Sequence, residues 1–286
     1  MAEPVSIIMT SPASRLDLMA RTLYALSRWQ EFSPDEAELV VVVDGKFDRG
    51  KEWLALMQAY APFFYRTVLL RMDKTLSRIP VTWNSPALGI NIAIREARNE
   101  LIVKTDPECL PLCNLVRWAQ AVYRENRLAF CSVRMLTALE TALFDMEHLQ
   151  RAHPAAIAEQ LVDLPDLWHV DENHHAPYWF GAIFSRRRFI NIGGVDEEFL
   201  RGFAAEDDDW AERMNRSGAN YFFSDRLKIL HQYHGDANKA FHLSDPHKAN
   251  IARLLASRQQ KRITANADYD WGSASVIVDR KEWGAG

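Results

Sequence analysis

Short apolar runs alternate with longer amphipathic stretches along the first half of the chain. Val5-Ser6-Ile7-Ile8-Met9 predicts a buried strand. Residues 15–29 carry Leu16, Met19, Leu23 and Leu26 at helical spacing. Residues 38–43 form a second buried strand that stops at Asp44-Gly45. Residues 51–60 read as a helix and 64–70 as a third strand. Ser85-Pro86 marks a helix start, with Ser85 as cap and Pro86 at the first helical position, and the pattern runs to about residue 98. Residues 101–104 form a fourth strand, ending at Thr105-Asp106-Pro107-Glu108.

Strands alternating with helices at this spacing predict a parallel α/β sheet. Such sheets bind ligands beyond the C-terminal ends of their strands. Thr10-Ser11, Asp44 and the Asp106/Glu108 pair each sit just past such an end, so their polar groups converge on one edge.

The second half is less regular. Helices are expected over residues 112–124 and 138–150, and strands over 178–184, 220–223 and 227–230. A polar loop with His169, His174 and His175 covers residues 169–177, and it could bind acceptor or close over ligand. Ser244-Asp245-Pro246 caps a last helix to about residue 262. The pattern assigns no structure from 265 onward, a tail holding Trp271 and Trp283. No repeat, low-complexity tract or linker divides the chain. It reads as a single domain over 1–286, with halves at about 1–110 and 111–245 and a C-terminal helix and tail at about 246–286.

Composition narrows the class. With 286 residues, 48% hydrophobic and 25% charged, the chain is an ordinary globular protein with a substantial core. A net charge of -4 leaves no electrostatic footprint for nucleic acid. No apolar run reaches the roughly 20 residues of a membrane-spanning helix, and the N-terminus does not read as a signal peptide. Three cysteines, Cys109, Cys113 and Cys131, make neither a disulfide framework nor a zinc site, so the expected location is cytoplasmic, with a peripheral membrane contact left open.

The densest chemistry lies in Ile192-Gly193-Gly194-Val195-Asp196-Glu197-Glu198-Phe199 and in Glu206-Asp207-Asp208-Asp209-Trp210. Four adjacent carboxylates at a helix start are favoured by the helix dipole, which makes a charged helix N-terminus one reading. A cation or proton-transfer site is the other. Gly193-Gly194 permits positive φ and close approach of backbone to a ligand, or simply a tight turn.

In this order the segments resemble the GT-A glycosyltransferases, especially the family 2-like enzymes, with a C-terminal region similar to β-galactosyltransferase-type enzymes. The resemblance runs over about residues 4–235. It implies a GT-A (Rossmann-like), mostly parallel α/β sheet flanked by helices, with a C-terminal acceptor-side subregion. It implies transfer of a sugar from a nucleoside diphosphate donor, UDP-linked, to an acceptor hydroxyl with inversion. Thr10, Ser11 and Asp44 would contact the nucleoside; Val43 stands where the family usually has a second Asp. Asn91, Asp106, Gly181 and Gly194 would line the donor. Asp106 and Glu108 stand in place of the Asp-x-Asp pair and would hold a divalent cation with His231, His234 being the runner-up. An imidazole ligand favours Mn²⁺ over Mg²⁺. Asp207 would be the catalytic base and Glu206 would bind donor or acceptor sugar.

Two other readings compete. A sugar nucleotidyltransferase would need a glycine-rich loop after the first strand, and residues 10–15 contain no glycine. A non-catalytic binding protein on a decayed GT-A fold is motivated by Val43 and Glu108.

Overall fold

A computed structural model describes residues 3–29, 31–45, 47–81, 86–151, 157, 180–235 and 244–284. Four parallel strands form its centre: β1 (Val5–Pro12), β2 (Ala37–Asp44), β3 (Arg66–Met72) and β4 (Leu101–Thr105). Successive side chains of these runs pack on opposite faces, which is why the runs are almost wholly apolar. Ile8, Val40, Val42, Val68 and Leu70 face one core with α3 (Ala87–Glu96). Ile7, Met9, Leu39, Val41 and Val43 face the other, with α1 (Leu16–Arg28) and α2 (Gly50–Tyr60).

Five more strands extend the sheet: β5 (Cys109–Pro111), β6 (Arg127–Met135), β7 (Gly181–Ser185), β8 (Asn220–His231) and β9 (Ile277–Gly284). The order is β5-β8-β6-β7-β4-β1-β2-β3-β9. Strands β5, β7 and β9 run against the other six, so the sheet is mostly parallel. Helices α4 (Leu115–Val122), α5 (Ala138–Leu143), α6 (Met146–Arg151), α7 (Arg186–Asn191), α8 (Glu206–Arg216) and α9 (Asp245–Gln259) complete the described helices.

Several expectations change. The helix over 138–150 is two helices, because the Asp145 carboxylate accepts from the His148 N–H and caps a fresh start. The strands at 220–223 and 227–230 are one strand, β8, whose register against β6 jumps between Ser224 and Lys228. Residues 127–135 form a strand the sequence reading did not assign. The tail beyond 265 ends in β9, which pairs antiparallel with β3. Pro86 precedes α3 as its cap residue rather than opening it. Ser85, most of the 178–184 strand's first residues and the histidine loop at 169–177 lie outside the described residues. Among the described residues, no helix is long and apolar enough to cross a membrane.

The two ends of the sheet have different chemistry. At the N-terminal ends of the strands, the buried Glu38 accepts from Arg66 at 2.7 Å and from the Arg98 N–H at 2.6 Å. Arg66 also reaches Glu96 and Glu282, which ties β2, β3, α3 and β9 together. That end is a structural lock. The opposite end carries the candidate site.

Candidate functional site

Strand register brings the predicted residues to one edge. Pro12 lies opposite Asp44, and Met9 lies opposite both Val41 and Thr105. Thr10 and Ser11 therefore sit between Asp44 and the 106–108 turn. Asp44 receives Lys74 at 3.1 Å through one oxygen, while its other oxygen, Oδ1, is buried with no hydrogen-bond partner among the described residues. A buried acceptor left unsatisfied costs free energy, and a donor brought to this oxygen would remove that cost.

Beyond β4 the chain makes a turn and re-enters the sheet as β5, where Cys109 pairs with His231 of β8. Pro107 O accepts from the Thr22 hydroxyl of α1 at 2.7 Å, and the Glu108 carbonyl accepts from the Gln232 N–H at 2.9 Å. These bonds hold Glu108 against the end of β8. One carboxylate oxygen, Glu108 Oε1, lies 3.6 Å from His231 Nε2 and 3.5 Å from His234 Nε2. One ligand atom from each of the three lies within 4.8 Å of the others, a possible metal-binding group.

The group fits a divalent cation. Glu108 Oε2 and His231 Nδ1 are buried and have no hydrogen-bond partner among the described residues, which is unusual for a carboxylate and an imidazole unless something else binds them. A carboxylate with two imidazoles suits a first-row ion. The Phe180 ring meets the His231 ring edge-on at 4.6 Å and fixes its plane. Burial alone would raise the Glu108 carboxyl, but His231, Arg15 and His234 outweigh it and hold it at about 2. Burial and the Arg15 charge push His234 below its ordinary value, which favours the neutral imidazole.

The structure groups His231 and His234 together with Glu108 and sets Asp106 apart. Lys104 is only 1% exposed, and its ammonium lies 2.7 Å from both oxygens of Asp106. Asp106 was expected at the ion beside Glu108; in this arrangement its carboxylate is taken by Lys104. Burial still raises the Asp106 carboxyl, against the Lys104 charge. The same ammonium acts on Glu206, so the start of α8 faces the end of β4.

Two residues that matter here went unnoticed in the sequence. Arg15, in the turn after β1, donates to Glu108 Oε1 at 2.5 Å and to His234 Nδ1 at 3.3 Å. Lys104 was the one charged residue in an apolar strand, a signal that a buried partner was waiting.

The acidic run opens α8 as expected, and its members divide. Asp209 is fully buried, paired with Arg213 at 2.7 Å and with Arg262 at 3.2 Å. Glu206 and Asp207 stand free of cations at salt-bridge distance among the described residues. Burial raises the Glu206 carboxyl, and burial with the Glu206 and Asp208 charges pushes Asp207 well above the carboxylate range. Part of Asp207 still reaches solvent. The chain enters this helix through Ala204 and Ala205, both in the left-handed region at φ 60° and 68°. The Asn250 side chain holds that turn by donating to the Phe199 and Ala204 carbonyls. Non-glycine residues held there store strain, a feature that clusters at functional sites.

Behind the helix, Arg213 donates to the Ile192 and Gly194 carbonyls. Gly193 has φ 77°, and a Cβ there would lie 1.9 Å from the Ala265 carbonyl oxygen. A Cβ on Gly194 would meet Asn91 at 2.6 Å and Trp271 at 2.7 Å. Asn91 bonds the Val195 N–H and carbonyl and donates to Glu197. Asn91 and Gly194, expected at the donor, thus pack on each other beneath the turn. Gly181 lies opposite Thr105, against Ile229 and Cys131, where a Cβ would come within 2.5 Å.

No protein-family model matches this chain, and no curated protein does. Solved structures do match. The chain aligns over 91% of its length with a mannosyltransferase from Pyrobaculum calidifontis in complex with GDP-Man and Mn²⁺, at 15% identity and TM-score 0.58. It aligns over 93% with S. aureus TarS 1–349 in complex with UDP-GlcNAc, at 14% identity and TM-score 0.62. The chain spans 65% of the mannosyltransferase chain and 68% of the TarS 1–349 chain. The fold is therefore that of GT-A-like glycosyltransferases.

Proposed function

We propose that this chain is a glycosyltransferase that moves a hexosyl group from a nucleoside diphosphate sugar to an acceptor hydroxyl. The observation that carries the reading is the Glu108–His231–His234 group, whose buried members Glu108 and His231 each keep a ligand atom without a hydrogen-bond partner among the described residues, at the strand ends of this fold. The aligned structures hold GDP-Man with Mn²⁺ in one case and UDP-GlcNAc in the other, which supports a nucleotide-sugar donor.

Asp44 Oδ1 accepts an N–H of the nucleobase, with Thr10 and Ser11 beneath it. Glu108, His231 and His234 hold the divalent cation, and two imidazoles favour Mn²⁺ over Mg²⁺. When bound, that ion supplies positive charge for the leaving diphosphate. Lys104 holds the Asp106 carboxyl in place, where it accepts from a donor hydroxyl. Asp207 takes the proton of the attacking acceptor hydroxyl. Its raised affinity for protons suits a general base, because proton transfer is then more favourable in the transition state. Glu206 orients the sugar, and attack from the Asp207 side inverts the anomeric centre.

The test is thermal unfolding with GDP, UDP and their sugars, with and without Mn²⁺, followed by turnover with the donor that binds. A ligand at 100 times its dissociation constant stabilises by about 2.7 kcal/mol. A Mn²⁺-dependent shift that vanishes in Glu108→Gln is the expected result. No shift with any nucleotide would return the chain to the non-catalytic reading.

A further inference from the structure

Arg15 reaches into the group formed by Glu108, His231 and His234. Its guanidinium contacts Glu108 Oε1, the oxygen that both histidines also face. Arginine has donors only, so its contact to His234 Nδ1 uses the lone pair of that nitrogen and puts the ring proton on Nε2. The contact engages two of the three side chains of the metal group. A divalent ion on Glu108 and His234 needs those lone pairs, and a guanidinium within a few ångströms would repel it.

We propose that Arg15 and the divalent cation exclude each other at Glu108, and that the displaced guanidinium then binds the donor's phosphates. This rests on the metal site of the proposed function. Arg15 can leave because it is anchored at only one end. It lies in a short turn between β1 and α1, its side chain is 26% exposed, and Glu108 and His234 are its side-chain partners among the described residues. Glu108 cannot follow, since its backbone is fixed to β8. A planar guanidinium is also the best side-chain partner for a diphosphate.

The consequence is a coupling. Without nucleotide, metal binding must break the Arg15–Glu108 pair. With a nucleoside diphosphate present, the released arginine gains a new partner, and the ion binds more easily. By linkage, the metal must strengthen diphosphate binding by the same factor.

The experiment titrates MnCl₂ into the full chain, following free Mn²⁺ by electron paramagnetic resonance, with and without UDP and GDP. Arg15→Gln is expected to bind Mn²⁺ alone about tenfold more tightly than the wild type, a gain of about 1.4 kcal/mol. The enhancement of Mn²⁺ binding by diphosphate should be smaller in Arg15→Gln, since direct chelation of Mn²⁺ by the phosphates is common to both proteins. Arg15→Lys keeps the charge without the fork and should fall between; it also serves if Arg15→Gln does not fold. Equal or weaker Mn²⁺ binding by the folded variants would overturn the exclusion while leaving the metal site standing. Mn²⁺ binding by none of the proteins would overturn the metal site and the exclusion together.

Discussion

The Lys104 ammonium lies 2.7 Å from both oxygens of Asp106, inside the strand that delivers Asp106 to the site. Taking an ammonium that is 1% exposed out of water costs free energy that such a partner offsets. The pair therefore serves folding and geometry at once. Lys104→Met should destabilise the protein by about 3 kcal/mol, the usual result of stranding one member of a buried pair. Adding Asp106→Asn should restore part of the loss. Urea unfolding of the two singles and the double gives the coupling, and additive losses would show that the pair contributes nothing as a pair.

Asp207 carries a prediction with two signs. Its carboxyl binds protons more tightly in the folded state than in the unfolded chain. Stability therefore falls as pH rises from the ordinary carboxylate range toward the folded-state value. Asp207→Asn removes that penalty, so the variant should melt higher than wild type at neutral pH. The advantage should shrink as pH is lowered toward the ordinary carboxylate range. As the base, the same substitution should cut kcat by about 10²–10⁴-fold. A variant that melts lower at pH 7, or keeps full kcat, contradicts the assignment.

Removing the metal ligands should act on binding before stability. Glu108→Gln and His231→Ala should each abolish the Mn²⁺-dependent thermal shift with nucleotide, and excess chelator should do the same to the wild type. Calorimetric titration of Mn²⁺ checks this. An undiminished Mn²⁺ affinity in both variants would move the ion elsewhere.

Gly193→Ala should be severely destabilising, by more than about 3 kcal/mol, because strain at φ 77° adds to a Cβ 1.9 Å from the Ala265 oxygen. Gly218 provides the comparison. Its φ is 93°, but the nearest atom to a Cβ there is Arg188 Nη1 at 3.9 Å. Gly218→Ala should cost only the backbone strain, about 1–2 kcal/mol. Equal midpoints in denaturant would show that the Ala265 contact yields.

The central strands were legible because burial on both faces demands uninterrupted apolar runs, as in residues 38–43. Strand β6 was not, since Arg127, Ser132 and Arg134 break its run. Strand β9 was hidden for the opposite reason: at the sheet edge it is mostly exposed and carries Asp279, Arg280, Lys281 and Glu282, the charges that protect an edge. The acidic helix was readable from composition, but the division of labour within it was not. Only the fold shows that Asp209 meets Arg213 and Arg262 while Asp207 meets no cation at such a distance among the described residues. Arg15 and Glu108 lie 93 positions apart, and no local pattern links them.

Residues 265–284 brace both the glycine turn, through the Ala265 carbonyl and Asn266, and the flank of β3, through β9. This has a consequence for biosynthesis. The strand-end edge of the sheet is assembled from residues that leave the ribosome well before its far brace does. A nascent chain halted before position 265 would hold Thr10, Asp44 and Glu108 without the support for Gly193 and Gly194. Ribosome-bound chains of increasing length should therefore acquire protease resistance in the acidic segment only after the brace has emerged.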